Sequence, residues 1–555
     1  MRLLAPILLA SLVVPQASAQ WSQIGANPRH TGSVAVVGQP LLHLMSDIVV
    51  DPFVAQEQAS SDGDLFVHYQ VPLVDDDGVY MAFKSGTYTT PEHWETQSWS
   101  IHGLRWQDNT LADRWTAPSD WKPVPADGAA FFEPVFHAVL ANGFVYMPAA
   151  GGTLLQLDRS DGHIVRRINP FTSVDPNVFV SGVPAADAAG NIYYGAFALD
   201  ASSGWGKDIT GAWLVKAQPD GSARAVPFAS LLPNAPKPTD QCTSVFGLSA
   251  SRPLPPSPTA VAPSVTCGAV RPGINAAPAI AADGTIYVVG LTNFNSAWSY
   301  LAAVNPDLTP KWSASLRNLF HDGCGVLVPF GTTSRACRAG TTVGVDPSDN
   351  QPGSGRVIDD STSSPVALPD GSVLYGTYTG YNGARGHLVH FSSSGAFLHS
   401  YDFGWDTTPA VWEHGGTWSI VMKENFYFAP AKYFITQLDA NLKAEWQFKS
   451  TNTLACGRGP DGNVTCVDEQ PNGFEWCVNA PAIDSRGTVY ANSEDGNLYA
   501  IGQPGVVQET IFLQLALGAG YTPVSIGPDG KIYAQNAGHL FAVGGSRPRT
   551  RAVRH

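Results

Sequence analysis

Six side chains that carry oxygen donors, Glu133, Asn275, Asp359, Asp360, Asp406 and Asn479, each stand shortly before a proline that opens a short apolar run. Carboxylates and amides drawn together from separate segments can hold a hard cation such as Ca2+, which takes six to eight oxygens. The same groups can instead cap strand ends and tie loops. A second acidic string, Asp75-Asp76-Asp77-Gly78, has the start of a Ca2+ loop without the spaced ligands that complete one, and Asp77-Gly78 reads as a hairpin turn. Among the 14 histidines, His387, His390, His399 and His414 lie close in sequence. On a strand His387 and His390 point to opposite faces, so packing or surface roles are expected rather than a metal pair. His321-Asp322 has the composition of an acid/base pair but no nucleophile beside it. No G-x-S-x-G, P-loop or H-E-x-x-H pattern occurs, and no catalytic or cofactor-binding residue is assigned. Trp94, Trp99, Trp106, Trp121, Trp405 and Trp412 are placed to stack on sugars or peptides, although most are expected in the core.

What must position these groups follows from composition and repetition. The chain has 555 residues, 44% hydrophobic and only 14% charged, with 55 Gly and 43 Pro. That length exceeds one ordinary core, and the mix suits many short strands joined by tight turns. The net charge of −14 makes nucleic acid an unfavourable partner. The basic tail, residues 546–555, reads as a frayed terminus. Arg2, the apolar run from Leu3 to Val14 and the small residues Ala17-Ser18-Ala19 read as a secretory leader over residues 1–19, cleaved after Ala19. No other stretch is apolar enough for a membrane helix. A secreted or periplasmic location is expected.

One grammar recurs eight times. Proline opens a short apolar strand at Pro72, Pro134, Pro184, Pro278, Pro365, Pro409, Pro481 and Pro523. A Gly-bearing turn follows, as at Asp283-Gly284, Asp370-Gly371 and Asp529-Gly530. A second strand then carries an aromatic: Tyr80, Tyr146, Tyr193, Tyr287, Tyr375, Trp418, Tyr490 and Tyr533. Third strands such as Leu154–Asp158 and Leu540–Val543 come next, and a weaker fourth strand carries Trp115, Trp312 or Trp446 in three units. Four antiparallel strands per unit make a propeller blade. The predicted fold is all-β: a propeller of about eight four-stranded blades over residues 20–545, or seven if the first or sixth unit fails to form. The last unit has three strands at most, so the segment Leu41–Val50 is expected to complete it.

The Pro-to-Tyr hairpin, the third strand, the fourth-strand Trp and the N-terminal run Trp21-Ser-Gln-Ile-Gly25-Ala-Asn-Pro-Arg29-His30-Thr31-Gly32 resemble the pyrroloquinoline-quinone-like propeller repeat family. That family includes quinoprotein dehydrogenases and outer-membrane assembly propellers. The resemblance implies the fold, and it raises a quinone and Ca2+ as cofactors. The adjacent Cys-Cys pair common around that quinone is absent, and so is a C-x-x-C-H haem motif. Arg166 stands where the second unit's Trp is expected.

Long insertions near 227–272, 315–360 and 450–478 hold all seven cysteines. Pairs Cys242 with Cys267, Cys324 with Cys337, and Cys456 with Cys466 are expected to close them, leaving Cys477, although sequence alone leaves the connectivity open. These crossovers are expected on one face, as a cap over the channel mouth. The expected function is a non-catalytic binding or scaffold propeller that engages a protein or glycan partner through that face. The alternative is a quinone- and calcium-dependent dehydrogenase or a glycan-active propeller enzyme.

Overall fold

A computed structural model describes residues 21–545 except 90–93, 126–131, 245–256, 258, 322–339, 341, 347–348, 380–384, 405, 428–429, 460–461, 479 and 519–522. The expected leader, the basic tail, Cys324, Cys337, Asp322, Trp405 and Asn479 lie outside the described residues.

Eight antiparallel sheets form eight blades. Blade 1 runs through Leu73–Val74, Val79–Gly86, Gln97–Gln107 and Thr110–Pro118, and blade 7 through Ala482–Ile483, Val489–Asn492, Asn497–Gly502 and Val506–Phe512. Blade 8 supplies Val524–Ile526, Ile532–Asn536 and His539–Gly544. Its outer strand comes from the other end of the chain: strand β1 (His43–Val49) pairs antiparallel with His539–Gly544. The closure expected for Leu41–Val50 is thus observed, and blade 8 gains the outer strand that its own segment lacks.

The first turns are local devices. Asp75 Oδ1 accepts from the Asp77 and Gly78 amides at 2.8 and 3.0 Å, so the acidic string is a side-chain-capped turn. The Asp370-Gly371 turn reaches a φ of 82° at its glycine, the left-handed region a hairpin of this kind needs. The repeated tyrosines, among them Tyr80, Tyr146, Tyr193, Tyr287, Tyr375, Tyr490 and Tyr533, are buried between blades.

Outer-strand residues lock neighbouring blades. Trp115 lies over Gly162 of blade 2 and donates its indole N–H to the Arg159 carbonyl at 3.0 Å. Trp312 covers Gly395 of blade 5 and donates to the Ser393 carbonyl at 2.9 Å. Trp446 covers Gly505 of blade 7 and donates to Gln503 Oε1 at 2.9 Å. Arg166 does the same work without an indole: it lies over Gly221 of blade 3 and donates to the Asp220 carbonyl.

The run from Trp21 to Gln39 crosses the innermost strands or first turns of all eight blades in order. It bonds to Val74, Leu140, Ala186, Ile280, Ala367, Val411, Ile483 and finally Gly530. Trp21 is fully buried, and His30 accepts its place through a 2.9 Å contact between Nδ1 and the Pro365 carbonyl. This thread fills the axis at the end that carries the Asp-Gly turns.

Candidate functional site

Each blade has four antiparallel strands, so the chain returns after the fourth to the end where the first began. Every crossover between blades therefore emerges at the end opposite the Asp-Gly turns, here called the mouth. The mouth carries three small hairpins: Gln241–Thr243 with Ser264–Thr266, Val345–Asp346 with Gln351–Pro352, and Leu454–Arg458 with Val464–Asp468. Disulfides Cys242–Cys267 and Cys456–Cys466 staple the first and third, and Cys477 is a buried free thiol.

At the centre of the mouth sits His68, a residue that no sequence pattern singles out. Its Nδ1 lies 2.9 Å from the Glu133 carbonyl, its ring stacks on Phe132, and Asn275 Nδ2 approaches to 3.4 Å. Burial lowers its pKa to about 4, against the opposing pull of Asp406 and of the Glu133 and Asp360 backbone. The ring is neutral at ordinary pH and serves as a packed hydrogen-bonding hub.

The five described oxygen donors are each committed to protein partners. Asp359 accepts both terminal nitrogens of buried Arg271, at 2.9 and 2.5 Å, and the Ile274 amide at 3.0 Å. Asn275 accepts from the Val135 amide and donates to the Asp359 carbonyl, both at 2.9 Å. Asp360 accepts from the Phe132 amide at 3.2 Å. Asp406 accepts from Ser361 at 2.7 Å and from Lys423 at 3.2 Å. The structure thus brings Asn275, Asp360 and Asp406 around His68, with Asp359 locked beside them by Arg271. It sends the Glu133 carboxylate elsewhere.

That carboxylate belongs to a buried cluster. Lys84 Nζ donates to Asp51 at 2.9 Å, Glu57 at 2.9 Å and Glu133 at 2.7 Å. Asp51 and Glu57 come from the crossover that leads from β1 into blade 1, which includes helix α1 (Val54–Ser60). Lys84 comes from the second strand of blade 1. Burial alone would lower the Lys84 ammonium, but three carboxylates overcome it and hold its pKa well above the ordinary value. Three acids exceed one base. Burial, opposed by Lys84 and reinforced by Glu57 and Asp51, pushes Glu133 up to about 8. Glu57 is raised as well, chiefly by burial.

A pocket of about 560 Å3 opens beside this cluster, lined by Glu57, Ser60, Ser61, Asp62, Asp64, Phe66, Val67, Tyr88, Trp94 and Glu133. A separate group, Glu475, Cys477 and Glu494, brings three potential ligand atoms within 4.8 Å of one another. Burial and then Glu494 push the Cys477 thiol well above its usual pKa, so it stays protonated and is a poor nucleophile.

The histidines pack as expected. His387 Nδ1 pairs with Asp402 at 2.6 Å while its ring stacks on Phe320. His390 Nε2 meets Ser372 at 2.7 Å, on the other face. His321 lines a groove with His387 and His399. Trp94, Trp99 and Trp121 are buried, and Trp106 and Trp412 are half-buried. The sequence marked only Glu133 of the Lys84 cluster, because Asp51, Glu57 and Lys84 stand at no position that recurs in the repeat.

No family model matches the sequence, and no curated protein matches it either. Among solved structures, a europium-containing methanol dehydrogenase is similar, with a TM-score of 0.50 and 11% identity over 94% of this chain and 89% of that one. The quinohemoprotein alcohol dehydrogenase of Comamonas testosteroni is similar at a TM-score of 0.50 and 12% identity, over 95% of this chain and 81% of that one.

The fold raises the question of a quinone with a metal ion, and the residues present do not fit that pair. The axial cavity between Trp21, Tyr69, His137 and Thr362 measures about 30 Å3, far below a cofactor-sized pocket of roughly 300 Å3 or more. The roomier pocket presents Glu57, Asp62, Asp64 and Glu133 and, among the described residues, no basic lining residue, so it repels the three carboxylates of pyrroloquinoline quinone. Of the oxygen donors at the mouth, Glu133 already holds Lys84, Asp359 holds Arg271 and Asp406 holds Lys423. The fold itself is established: the chain is an eight-bladed β-propeller, similar in fold to those dehydrogenases.

Proposed function

We propose that the chain is a secreted or periplasmic propeller without catalysis of its own, which holds a protein partner through its mouth. The observation that carries this reading is apolar surface displayed on stapled hairpins. Val265 is 37% exposed, Leu454 42%, Val464 43% and Val467 62%. Leu454, Val464 and Val467 crowd one cross-linked hairpin, and grouped exposed aliphatic side chains favour contact with a partner. The disulfides suit an oxidising compartment, in keeping with the leader-like N-terminus. A glycan partner gains no support, because the tryptophans that would stack on sugars are largely buried.

Affinity capture from envelope extract and culture medium tests the reading. Wild-type protein is expected to retain a discrete partner. The double variant Leu454→Asp/Val464→Asp, which alters two exposed residues on one face of the hairpin, is expected to lose it while unfolding at the same temperature. Undiminished capture by the variant overturns the assignment of the face. Dye reduction on adding pyrroloquinoline quinone, Ca2+ and a panel of alcohols overturns the non-catalytic reading.

A further inference from the structure

The pocket beside Lys84 has chemistry that the partner-binding reading does not use. Its rim is Ser60, Asp62 and Asp64, all exposed, and its walls include Phe66, Tyr88 and Trp94. Tyr88 ties the wall to α1 by donating to Ser60 Oγ at 3.0 Å, and Phe66 packs edge-on against Phe132. At its base are Glu57 and Glu133, both held to Lys84. The Glu57 side chain is only 10% exposed, and its Oε2 is buried with no hydrogen-bond partner. A buried carboxylate oxygen without a donor is costly, so its retention points to a donor that arrives from outside. Among the described residues neither Asp62 nor Asp64 has a cationic partner, and Asp64 is raised by partial burial and by Asp62.

We propose that this pocket binds a primary alkylammonium group, its stem against Phe66, Tyr88 and Trp94 and its charged end against Glu57, Asp62 and Asp64. The acids supply the charge that an ammonium lacks in an apolar cleft, and aromatic faces attract cations and cover methylenes. A bare metal ion fits less well. The pocket is far larger than one ion, and among the described residues the set of three ligand atoms within 4.8 Å lies at Glu475, Cys477 and Glu494 instead. An anion meets only like charge. A neutral alcohol leaves both rim acids uncompensated.

Two sources offer this chemistry, a lysine side chain and a free diamine. The full-length mature chain is titrated calorimetrically with n-butylammonium chloride, cadaverine and Nα-acetyl-lysine methylamide, with n-butanol as the neutral control. Saturable one-site binding of the ammonium compounds, with none for butanol, is expected. Glu57→Gln and, separately, Asp62→Asn/Asp64→Asn are expected to weaken binding at least about tenfold. The second variant alters exposed side chains only, so its folding is safeguarded, and an unchanged unfolding midpoint confirms this. Tighter binding of the lysine derivative identifies a side-chain source, and tighter binding of cadaverine a free diamine. Absence of binding by every ammonium compound, equal binding of butanol, or wild-type affinity in both variants overturns the proposal. None of these outcomes depends on capturing a protein partner, so the two readings fail separately.

Discussion

The two ends of the propeller are held by different physics. At the turn end, apart from the Trp21–Gln39 thread, contacts are short in sequence or reach one blade onward: Asp75 caps its own turn, and Trp115, Trp312, Trp446 and Arg166 each cover a glycine of the next blade. At the mouth, charged groups from distant crossovers are buried together: Lys84 with Asp51, Glu57 and Glu133, Arg271 with Asp359, and Lys423 with Asp406. The turn end repeats and the mouth does not. A repeated contact can be specified once and copied, whereas each mouth contact had to be solved individually, which is where a specific binding site is expected to arise.

If the contrast is real, the largest effect belongs to the mouth. Asp359→Ala strands the buried Arg271 guanidinium and is expected to cost about 3–5 kcal/mol, read as a drop in the urea midpoint. Arg271→Met/Asp359→Leu is expected to recover most of that loss, because the pair is replaced rather than broken. At the turn end, Trp446→Ala is expected to cost about 3 kcal/mol through the cavity over Gly505. Arg166→Ala at the equivalent seam, where the side chain is exposed to water, should cost less than about 1 kcal/mol. Equal losses at the two seams would break the distinction between indole and guanidinium locks.

A pH effect sharpens the mouth side. Glu133 and Glu57 have raised pKa values in the folded chain, so each contributes stability that is present at acid pH and lost as pH rises through its folded value, about 8 for Glu133. Buried His30, His68 and His137, lowered to about 4, carry the opposite slope, which is spent above about pH 6.5. The groups that face Glu133 are Lys84, Asp51 and Glu57, with Tyr69 held against Asp51. Glu133→Gln is expected to lessen the loss of unfolding temperature between about pH 6.5 and pH 8. The smallest effect is expected from Cys456→Ser/Cys466→Ser. That staple spans 10 residues of one exposed hairpin, which can open without the ring, so the global midpoint should move little while protease cleavage between positions 456 and 466 rises.

What was legible in the sequence follows the same division. Eight Pro openings, the Gly turns and the tyrosines specify the blades, because each feature sits within a dozen residues of the next and recurs. The closing strand was legible by subtraction: blade 8 lacked an outer strand and Leu41–Val50 lacked a blade. Cys242–Cys267 and Cys456–Cys466 were legible because each pair falls within one insertion. The described oxygen donors stand near the mouth, but nothing local in the sequence showed their commitments. Nothing near Asp359 in sequence announces Arg271, 88 residues away. His68 and Lys84 carry no local pattern at all, and their roles exist only after the ring has formed. The run Trp21–Gly32 was visible as a likeness, yet its path across the axis depends on strands from every blade.

A chain whose opening residues are needed by all eight blades cannot mature from front to back. The stretch from Trp21 to Gln39 leaves the ribosome before every blade strand and finds its final anchor, at Gly530, only once the last blade is made. Until His539–Gly544 arrives, β1 also waits without a mate. Completion is therefore a single late event that joins both termini, and a truncated copy lacking the final hairpin forfeits the seam and the end of the thread together.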